Sequence, residues 1–317
     1  MTHVSISVLM SIYSETERQI RESIDSILNQ TQNNFEFIIV CDNPTRKDEV
    51  KHILETYSDK RIKLLQNDKN IGLALSMNKA ASVSTAPVIA RMDADDIALD
   101  TRFEKEYHIL EENKVDIVFT DFSYIDERSC RIKGKKHLFA VEIEGDVPSH
   151  VIALKPNLVH HPTVMMKKDI FDRVGGYRDF PCSQDVDLWY RMQEAGAKFY
   201  LLREILLLYR ITPKSITNSK FYLQQLTVHY INTLSLERLM SGSDSFSKEN
   251  YKFFLQKHGY GVKSKEKRYK IGAKFLDKAQ VLKFPFNFIY RVFTFLISPQ
   301  LRYNYLILKK KRSLYAS

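Results

Sequence analysis

Apolar and polar residues alternate in blocks along the N-terminal two thirds of the chain. Short apolar runs are typical of buried strands, and longer segments with apolar residues every three or four positions indicate amphipathic helices. Strands are predicted at Val4–Met10, Phe35–Cys41, Ile62–Leu65, from Val88 and at Val115–Thr120. One helix is predicted from the capping pattern Ser14–Glu17 to about Asn29, and further helices at Lys47–Tyr57, Leu73–Val83 and Thr101–Glu112. This β-α-β alternation predicts an α/β fold with a mostly parallel sheet and helices on both faces.

The pattern becomes less regular in the following segment. Residues 128–150 are polar and basic, which predicts a loop or a hairpin insertion, and His160–Met166 predicts a turn entering a strand. Neighbouring histidines point to opposite faces of a strand, so we expect one core or loop histidine rather than a shared metal. Val174–Tyr177 is a glycine turn that either shapes an acceptor pocket or ends a helix. Ser183–Met192 predicts a helix with polar capping residues at its start.

Composition narrows the class of protein. With 317 residues and 44% hydrophobic content, the chain can bury the core of one large domain or two smaller ones. Cys41, Cys130 and Cys182 form no CxxC or Cys/His metal pattern, which argues for a reducing compartment and against a disulfide framework. Because the sequence shows no signal-peptide pattern and no uncharged apolar run as long as a bilayer span, we expect a cytosolic protein.

The net charge of +10 is unevenly distributed. From Lys248 onward there are 17 Lys and Arg residues against 3 Asp and Glu, whereas the preceding 247 residues carry 31 basic and 35 acidic side chains. A near-neutral body therefore precedes a strongly basic C-terminal region. This asymmetry predicts an anionic partner for that region, either nucleic acid or a lipid surface.

The basic C-terminal region also has helical periodicity. Phe221–Met240 predicts a helix, and Tyr251–Lys283 mixes aromatic residues with lysines at helical spacing. The run Phe284–Ile297 is aromatic-rich, interrupted by Pro285 and Arg291, and too short to span a bilayer. This composition favours an interfacial helix on an anionic leaflet. Packing against the rest of the protein and a basic arm for RNA are the alternatives.

Candidate chemistry is concentrated in one acidic stretch. Val88–Asp96 begins as an apolar run and ends in three carboxylates, which predicts a buried strand that delivers acids to the ligand-binding edge of the sheet. Asp93 and Asp95 lie two positions apart on an extended end, so both can ligate one Mg²⁺ or Mn²⁺, which would hold a diphosphate. The alternative is an acidic turn that caps the next helix.

Glycine-rich phosphate-binding patterns are absent from the sequence. No GxGxxG follows the first strand and no GxxxxGKS/T occurs, so neither a dinucleotide pocket nor a P-loop is indicated. Asp42 ends the second strand, where it could hold a ribose or a base edge. An isolated Asp at such a position is more often a turn or N-cap residue.

Several segments occur in the order found in one enzyme family. Together they resemble glycosyltransferase family 2, the inverting nucleotide-sugar enzymes of the GT-A fold, over roughly residues 4–212. The matching segments are Ser7–Glu15, Asp42, Asn70–Leu73, Arg91–Asp96, Gly175–Tyr177 and Gln184–Leu188. The resemblance implies a GT-A-like catalytic domain over residues 1–217, with a donor-binding half to about 121 and an acceptor half from about 122. A helical, basic region at 218–317 would follow it.

The resemblance also implies which residues bind the nucleotide sugar. The backbone near Ile12, Tyr13 and Glu15 would line the nucleotide pocket, and Asp42 would contact the uracil or the ribose. Arg210 would lie near the diphosphate. The remaining residues implied in donor binding are Asn70, Gly72, Arg91 and Asp93.

A second group of residues is implied in metal binding and catalysis. Asp93 and Asp95 match the family's DxD element, with Asp95 as the principal metal ligand and Asp93 nearer the ribose. Asp185 matches the carboxylate that serves as general base in this family.

The sequence departs from the family pattern at several positions. Ser11 stands where proline is common, and Asn43–Pro44 replaces the usual acidic-glycine turn after the second strand. Gln184 stands where Glu often precedes the base, so the base assignment rests on Asp185 alone. Thr212 stands where many relatives have histidine, which leaves the diphosphate contacts open. The Gln-x-x-Arg-Trp element of processive synthases is absent, which favours transfer of a single sugar.

These features predict a metal-dependent inverting glycosyltransferase with Mn²⁺ or Mg²⁺ and a UDP-sugar donor. The expected acceptor is a growing surface glycan or a lipid-linked glycan. The enzyme would then be peripheral to the inner face of the cytoplasmic membrane, with no nucleic-acid partner. One rival is a sugar nucleotidyltransferase, which normally relies on a glycine-rich, basic phosphate loop that this sequence lacks. The other rival is a non-catalytic module that binds glycan or nucleic acid.

Overall fold

Two compact units make up the chain. The computed structural model describes residues 4–136, 143–155, 158–211, 220–282 and 285–316. The N-terminal unit is Met1–Pro213 and the C-terminal unit is Lys214–Ser317. The predicted domain boundary between residues 217 and 218 stays a prediction, because residues 212–219, including Thr212, lie outside the described ranges.

The N-terminal unit is built on one mixed β-sheet. Its strands are β1 (Ile6–Ile12), β2 (Phe35–Cys41), β3 (Ile62–Gln66), β4 (Val88–Asp93), β5 (Ile97–Ala98), β6 (Ile117–Ile125), β7 (Arg131–Lys136), β8 (Gly145–Val147), β9 (Val164–Lys167) and β10 (Phe199–Arg210). Neighbouring strands follow the order β3-β2-β1-β4-β9-β6-β10-β5, with β7 beside β6 and β8 beside β10. Strand β2 has its predicted bounds. The segment 128–150, predicted as a loop or a hairpin insertion, contains β7, which pairs with β6, and β8, which pairs with β10.

Strand directions divide the sheet into two parallel parts joined by an antiparallel strand. Strands β3, β2, β1 and β4 are parallel neighbours, and β6 is parallel to β10. Strand β9 lies between β4 and β6 and is antiparallel to both. The parallel arrangement is confirmed for these two parts. The local pattern predicts a strand at β9 but not its direction, because a short apolar run has the same composition in either orientation.

Helices cover both faces of this sheet, as predicted. They are α1 (Glu17–Leu28), α2 (Lys47–Glu55), α3 (Leu73–Ser82), α4 (Arg102–Glu112), α5 (Ser149–Leu154), α6 (Lys168–Arg173) and α7 (Gln184–Glu194). Val8 of β1 belongs to the same buried core as Ile24 of α1. The next residue, Leu9, belongs to a second core with Met77 of α3. Successive strand side chains point to opposite faces, so a continuously apolar strand supplies both cores.

The start of α1 differs from its prediction. The capping box is formed by Thr16 and Gln19 instead of Ser14–Glu17: the Gln19 N–H donates to Thr16 Oγ1 at 3.3 Å, and the Thr16 N–H donates to Gln19 Oε1 at 2.8 Å. Glu15 turns back toward the strand end, where its carboxylate accepts the Tyr13 N–H at 2.7 Å. The helix therefore begins later than the sequence pattern indicates.

Three strand ends meet at one edge of the sheet. Ile12 of β1 lies opposite Cys41 of β2, and Ser11 of β1 lies opposite Asp93 of β4. Because the three strands are parallel, the segments that follow them emerge at the same carboxyl edge. Tyr13, Glu15 and Asp42, three of the residues predicted to bind the donor, lie on these segments.

Helices form the described part of the C-terminal unit. They are α8 (Phe221–Ser241), α9 (Lys248–Lys257), α10 (Lys263–Val281), α11 (Phe286–Ile297) and α12 (Pro299–Ala316). Tyr222 and Leu226 of α8, Tyr269 of α10 and Leu301 of α12 form a small buried core. The predicted helical character of this region is confirmed. Across the described ranges, every helix is too short or too polar to cross a membrane.

Candidate active site

The acids that end β4 form a compact cluster. Asp93 is the last residue of β4, and Asp95 and Asp96 lie in the segment that follows. One carboxylate oxygen from each residue lies within 4.8 Å of the other two. The sequence predicts the pair Asp93 and Asp95 as ligands. Asp96 is the member that sequence reasoning missed, because only the turn geometry brings its side chain back to the pair.

Burial and mutual repulsion disfavour negative charge in this cluster. Burial, reinforced by the carboxylates of Asp93 and Glu15, raises the pKa of Asp95 to about 7. Burial and the charge of Asp95 raise the pKa of Asp96 well above its ordinary value. Among the described residues, Asp96 Oδ2 is buried without a hydrogen-bond partner. Close carboxylates whose charges are only partly compensated fit a hard divalent cation such as Mg²⁺ or Mn²⁺.

Arg210, the last residue of β10, holds the acidic turn in place. Its backbone N–H donates to Asp96 Oδ1 at 2.8 Å, and its Nε donates to the Asp95 carbonyl at 2.6 Å. Its Nη1 donates to the Asp126 carbonyl at 3.0 Å, and its Nη2 donates to Glu22 at 2.7 Å. Each guanidinium nitrogen therefore already donates to a protein acceptor. This arrangement favours a positioning role for Arg210 over the predicted diphosphate contact.

Arg91 carries a buried charge beside the acids. Its Nη2 donates to Asp93 Oδ1. Its Nε and Nη1 have no hydrogen-bond partner in the described part of the chain, although the residue is only 2% exposed. Buried donors without partners are costly, so these two nitrogens are candidates to donate to a bound ligand or water. The predicted role of Arg91 in donor binding stays a prediction.

Asp185 lies at the start of α7, next to the charges of this cluster. It follows Ser183, whose left-handed backbone (φ 57°) turns the chain into the helix. Burial raises the pKa of Asp185, while the Val186 N–H and the positive charge of Arg91 oppose that shift and the charge of Asp93 adds to it. The fold thus brings the predicted base near Arg91 and Asp93, which are distant in sequence. A carboxylate with a raised pKa is a better proton acceptor at neutral pH.

Asp187, two positions further along α7, has a different environment. It is fully buried, and its Oδ2 accepts the Arg191 Nε at 2.8 Å. Arg191 in turn donates through Nη2 to the Gly176 carbonyl at 2.7 Å and through Nη1 to the Val174 carbonyl at 2.5 Å. Asp187 therefore anchors the glycine turn through Arg191, whereas Asp185 is influenced by the charges of Arg91 and Asp93.

The glycine turn after α6 presents Tyr177 to a buried histidine. Tyr177 Oη and His161 Nε2 lie 2.6 Å apart. Burial, with a further contribution from the charge of Arg91, lowers the pKa of His161 well below its ordinary value, so the imidazole is neutral. The turn is held by Asn78 of α3, which accepts the Tyr177 N–H at 2.8 Å. A Cβ on Gly176 would approach Asn78 Oδ1 to 2.6 Å, which explains the glycine.

These contacts show the structural roles of the two motifs that the sequence left open, while a part of the glycine turn in an acceptor pocket stays a prediction. His161 is a buried core histidine, as expected from the pattern around it. The glycine turn ends α6 and carries Tyr177 toward Arg91. Burial raises the pKa of the Tyr177 hydroxyl, and the positive charge of Arg91 opposes that rise. Sequence reasoning missed His161 and Tyr177 as neighbours of the site, because no local pattern relates them to Arg91.

The segment after β1 contributes backbone and one carboxylate. Ile12 is buried in the core, so only its backbone can reach a ligand. Tyr13 is 46% exposed, and Glu15 accepts hydrogen bonds from the N–H groups of Tyr13 and Ser14 at 2.7 and 3.0 Å. Burial raises the pKa of Glu15, and the charge of Asp93 contributes to the rise. The structure therefore places Glu15 beside the acidic cluster, a neighbour that its sequence position does not reveal.

Asp42 shapes the loop that leads into α3. Its Oδ1 accepts Asn67 Nδ2 at 2.8 Å and the Ile71 N–H at 2.9 Å, and its Oδ2 accepts the Gly72 N–H at 2.9 Å. Asn70 Oδ1 also accepts the Gly72 N–H, at 2.9 Å. A carboxylate oxygen has two acceptor positions, and within the described ranges one bond to Oδ2 is seen, so a second could come from a ribose hydroxyl or a base N–H. The predicted nucleotide contact of Asp42 stays a prediction, and its loop-forming role is established by these bonds.

The chain is a glycosyltransferase by its family. The profile of the family described as "Glycosyl transferase family 2" matches residues 7–175, which is more than half of the sequence. The chain therefore belongs to glycosyl transferase family 2, and the resemblance stated for its motifs is confirmed.

Relatives with similar sequences carry the same description. An uncharacterized glycosyltransferase of Methanocaldococcus jannaschii is 37% identical over 71% of this chain and 77% of its own length. The O-antigen biosynthesis glycosyltransferase WbnJ of Escherichia coli is 34% identical over 68% of this chain and 82% of its own length.

A solved structure shares the fold of this chain. S. aureus TarS 1–349 in complex with UDP-GlcNAc has a TM-score of 0.63 and 14% identity, covering 98% of this chain and 90% of that chain. The chain spans 55% of the longer TarS structure. At this identity the likeness concerns the fold. It confirms the predicted GT-A-like α/β architecture followed by a helical C-terminal region.

Proposed function

We propose that the protein transfers one sugar from a UDP-sugar to a glycan acceptor, with inversion at the anomeric carbon and with a divalent cation bound at the acidic turn. The observation that carries this proposal is the cluster of Asp93, Asp95 and Asp96 at the carboxyl end of β4, with Asp185 brought close to it from α7. The family match supports sugar transfer, and the cluster supports the metal.

The acidic turn supplies the ligands for the cation. Asp95 is the proposed principal ligand, Asp93 contributes a second carboxylate, and Asp96 adds the buried Oδ2 that lacks a partner among the described residues. A bound Mn²⁺ or Mg²⁺ supplies Lewis-acid stabilisation of negative charge on the leaving diphosphate. Arg210 keeps the turn in this conformation, and Arg91 keeps Asp93 oriented.

Asp185 is the proposed general base. Its carboxylate accepts the proton of the acceptor hydroxyl while that oxygen forms a bond to the anomeric carbon of the donor. The bond from the anomeric carbon to the diphosphate oxygen breaks from the opposite face, and its electron pair leaves with UDP. The products are the glycoside, UDP and a protonated Asp185, which returns its proton to solvent. Because attack and departure occur on opposite faces, the configuration inverts.

The nucleotide is proposed to bind at the ends of β1 and β2. Two adjacent parallel strands end here, β1 at Ile12 and β2 just before Asp42, and the exposed Tyr13 follows Ile12. The loop that carries Asn70 and Gly72 borders them, because Asp42 accepts the Gly72 N–H. TarS shares the fold and was solved with UDP-GlcNAc, which supports a UDP-sugar as the donor class.

The acceptor is proposed to be a surface glycan, free or linked to a lipid carrier. WbnJ acts in O-antigen biosynthesis according to its name, which supports polysaccharide assembly as the pathway class. We also propose that the basic C-terminal region attaches the enzyme to the inner face of the cytoplasmic membrane, where such carriers are assembled. The excess of Lys and Arg after Lys248 supports an anionic lipid surface. No nucleic-acid partner is proposed.

The test is release of UDP by the purified full chain from a panel of UDP-sugars, with Mn²⁺ or with EDTA. Slow, Mn²⁺-dependent hydrolysis of at least one donor is expected, with faster release when a suitable acceptor is present. A sugar nucleotidyltransferase would instead release pyrophosphate from UTP and a sugar 1-phosphate. A binding module would release neither product. Either result would overturn the proposed function.

A further inference from the structure

Helix α11 packs on its neighbours along one side. Thr294 is buried, and its Oγ1 donates to the Gly272 carbonyl of α10 at 3.3 Å. The ring of Tyr290 lies 5.6 Å from that of Phe275 in α10, and Phe295 lies 5.0 Å from Tyr305 in α12. These contacts fix the orientation of α11 within the C-terminal unit.

The opposite side of α11 is an exposed apolar arc. With 3.6 residues per turn, the large apolar residues outside the packed side fall on one continuous face. Its members and their exposed fractions are Phe286 59%, Phe288 61%, Ile289 42%, Val292 39%, Phe293 52% and Leu296 67%. Arg291 is the single charged residue of the helix and lies outside this face. An apolar face of this size on a folded protein usually meets a partner.

The dimensions of α11 restrict what that partner can be. Twelve residues correspond to about 18 Å of helix, well short of the roughly 30 Å of a bilayer core. The helix can therefore lie along a membrane surface but cannot cross it. An amphipathic helix of this kind buries its apolar face about 5–10 Å into the boundary between headgroups and acyl chains.

Charge identifies an anionic surface as the partner. The sequence contains no Asp or Glu after Asp277, and it contains eight Lys and Arg residues from Lys278 to the end. Exposed basic residues on the neighbouring helices include Lys270 and Lys274 of α10 and Arg302 and Lys309 of α12. A second copy of this chain would bring like charges together at the same face, which opposes self-association there. An anionic membrane complements both the arc and the charge.

We propose that α11 lies in the plane of an anionic membrane with this apolar arc inserted below the headgroups, and that the surrounding lysines and arginines contact those headgroups. This inference rests on the proposed membrane attachment and assigns it to one face of one helix. Insertion of the arc makes attachment resistant to salt, because burial of apolar side chains is not screened, whereas the basic residues alone would be released.

The test uses the full chain and vesicles of phosphatidylcholine with or without phosphatidylglycerol. The variant carries Phe288→Gln, Phe293→Gln and Leu296→Gln, and Phe253→Gln is the matched control, because Phe253 of α9 is 66% exposed in the same unit. At high salt the triple variant should bind anionic vesicles on the order of 100-fold more weakly than the wild type, from the lost burial of three large apolar groups. The control should bind like the wild type. Equal binding by the triple variant would overturn the inference.

A second measurement is independent of how the triple variant folds. Phe288→Trp places a fluorophore on the arc, against a background of one natural tryptophan, Trp189, which is 1% exposed. Lipids brominated along the acyl chains should quench the new fluorescence, while the wild type shows little quenching. Absence of extra quenching would overturn the inference, as would binding to RNA or protein but not to vesicles.

UDP release without lipid is measured on the same preparations. A wild type that binds vesicles but releases no UDP contradicts the proposed function and leaves the membrane inference standing. A wild type that releases UDP but ignores vesicles contradicts the membrane inference alone.

Discussion

Replacement of Asp95 by asparagine should separate the stability of the acidic turn from its function. The substitution keeps the size and shape of the side chain and removes one negative charge from three carboxylates that lie within 4.8 Å of each other. Without a cation, that charge opposes the folded state because of burial and of the neighbouring Asp93 and Glu15. We therefore expect Asp95→Asn to stabilise the metal-free protein while abolishing metal-dependent donor binding.

The size of the effect follows from the pKa of Asp95. A rise from 3.8 to about 7 corresponds to an upper limit of about 4 kcal/mol, at about 1.36 kcal/mol per pKa unit. Because the repulsion between Asp93 and Asp96 remains in the variant, we expect a gain in the free energy of unfolding below this limit, about 1–3 kcal/mol. The size of this cost depends on pH, but its sign does not: below about pH 4 the carboxyl is protonated in both states, the cost grows as pH rises to about 7, and it is constant above.

The assay is thermal unfolding of the full chain in EDTA at pH 5 and pH 8, followed by addition of Mn²⁺. At pH 8 the Tm of the N-terminal unit should be about 3–8 °C higher for Asp95→Asn than for the wild type, with a smaller difference at pH 5. Added Mn²⁺ with UDP should raise the Tm of the wild type and leave the variant unchanged.

Asp68→Asn is the matched control, because the Asp68 side chain is fully exposed. It should leave both the Tm in EDTA and the response to Mn²⁺ close to wild type. The reasoning is refuted if Asp95→Asn is less stable than the wild type in EDTA at pH 8, or if Mn²⁺ and UDP stabilise both proteins equally.

Four further substitutions, one of them a control, test other parts of the site. Asp185→Asn should retain UDP-sugar binding but lose transfer activity by on the order of 10²–10⁴-fold, measured as steady-state UDP release with acceptor. Gln184→Ala should lose much less transfer activity, and equal losses would count against the base assignment. Arg210→Gln removes the side-chain bonds that hold the acidic turn. Calorimetric titration should therefore show weaker Mn²⁺-dependent binding of UDP and unchanged binding of UDP in EDTA. Weaker binding in EDTA as well would favour the predicted diphosphate contact. Gly72→Ala has open space for its Cβ but keeps φ at +84° and ψ at 161°, so urea unfolding should show a loss of about 1–3 kcal/mol from backbone strain alone, and an unchanged midpoint would contradict that cause.

The apolar runs of the sequence were sufficient to predict the central strands. Strand β2, which is buried along its whole length, matches its predicted bounds Phe35–Cys41. A strand buried on both faces needs apolar residues at successive positions, so its pattern is visible without knowledge of its neighbours. The same holds for the acidic end of β4, because the change from apolar to acidic residues at Asp93 is local.

Pairing and direction of strands were decided by the tertiary structure. Strand β9 lies between β4 and β6 and is antiparallel to both, and β10 lies beyond β6 with β5 on its other side. The capping pattern at Ser14–Glu17 is another case: it is a valid helix start by composition, but the Glu15 carboxylate is drawn to the Tyr13 and Ser14 N–H groups at the strand end.

The candidate site shows the same division between what the sequence predicts and what the tertiary structure decides. Asp93, Asp95 and Asp185 were predicted from motifs, because each belongs to a short segment whose composition is informative. Whether the Arg210 side chain contacts the donor or the acidic turn depends on acceptors far away in sequence, the Asp95 carbonyl 115 positions earlier and the Glu22 carboxylate. Hydrophobic periodicity and motif spacing report on a few neighbouring residues, whereas the charge environment of a buried group depends on every element that packs around it. The sequence by itself therefore determined which residues are candidates for the chemistry, and only the tertiary structure decided which candidates lie together and which are held by contacts within the protein.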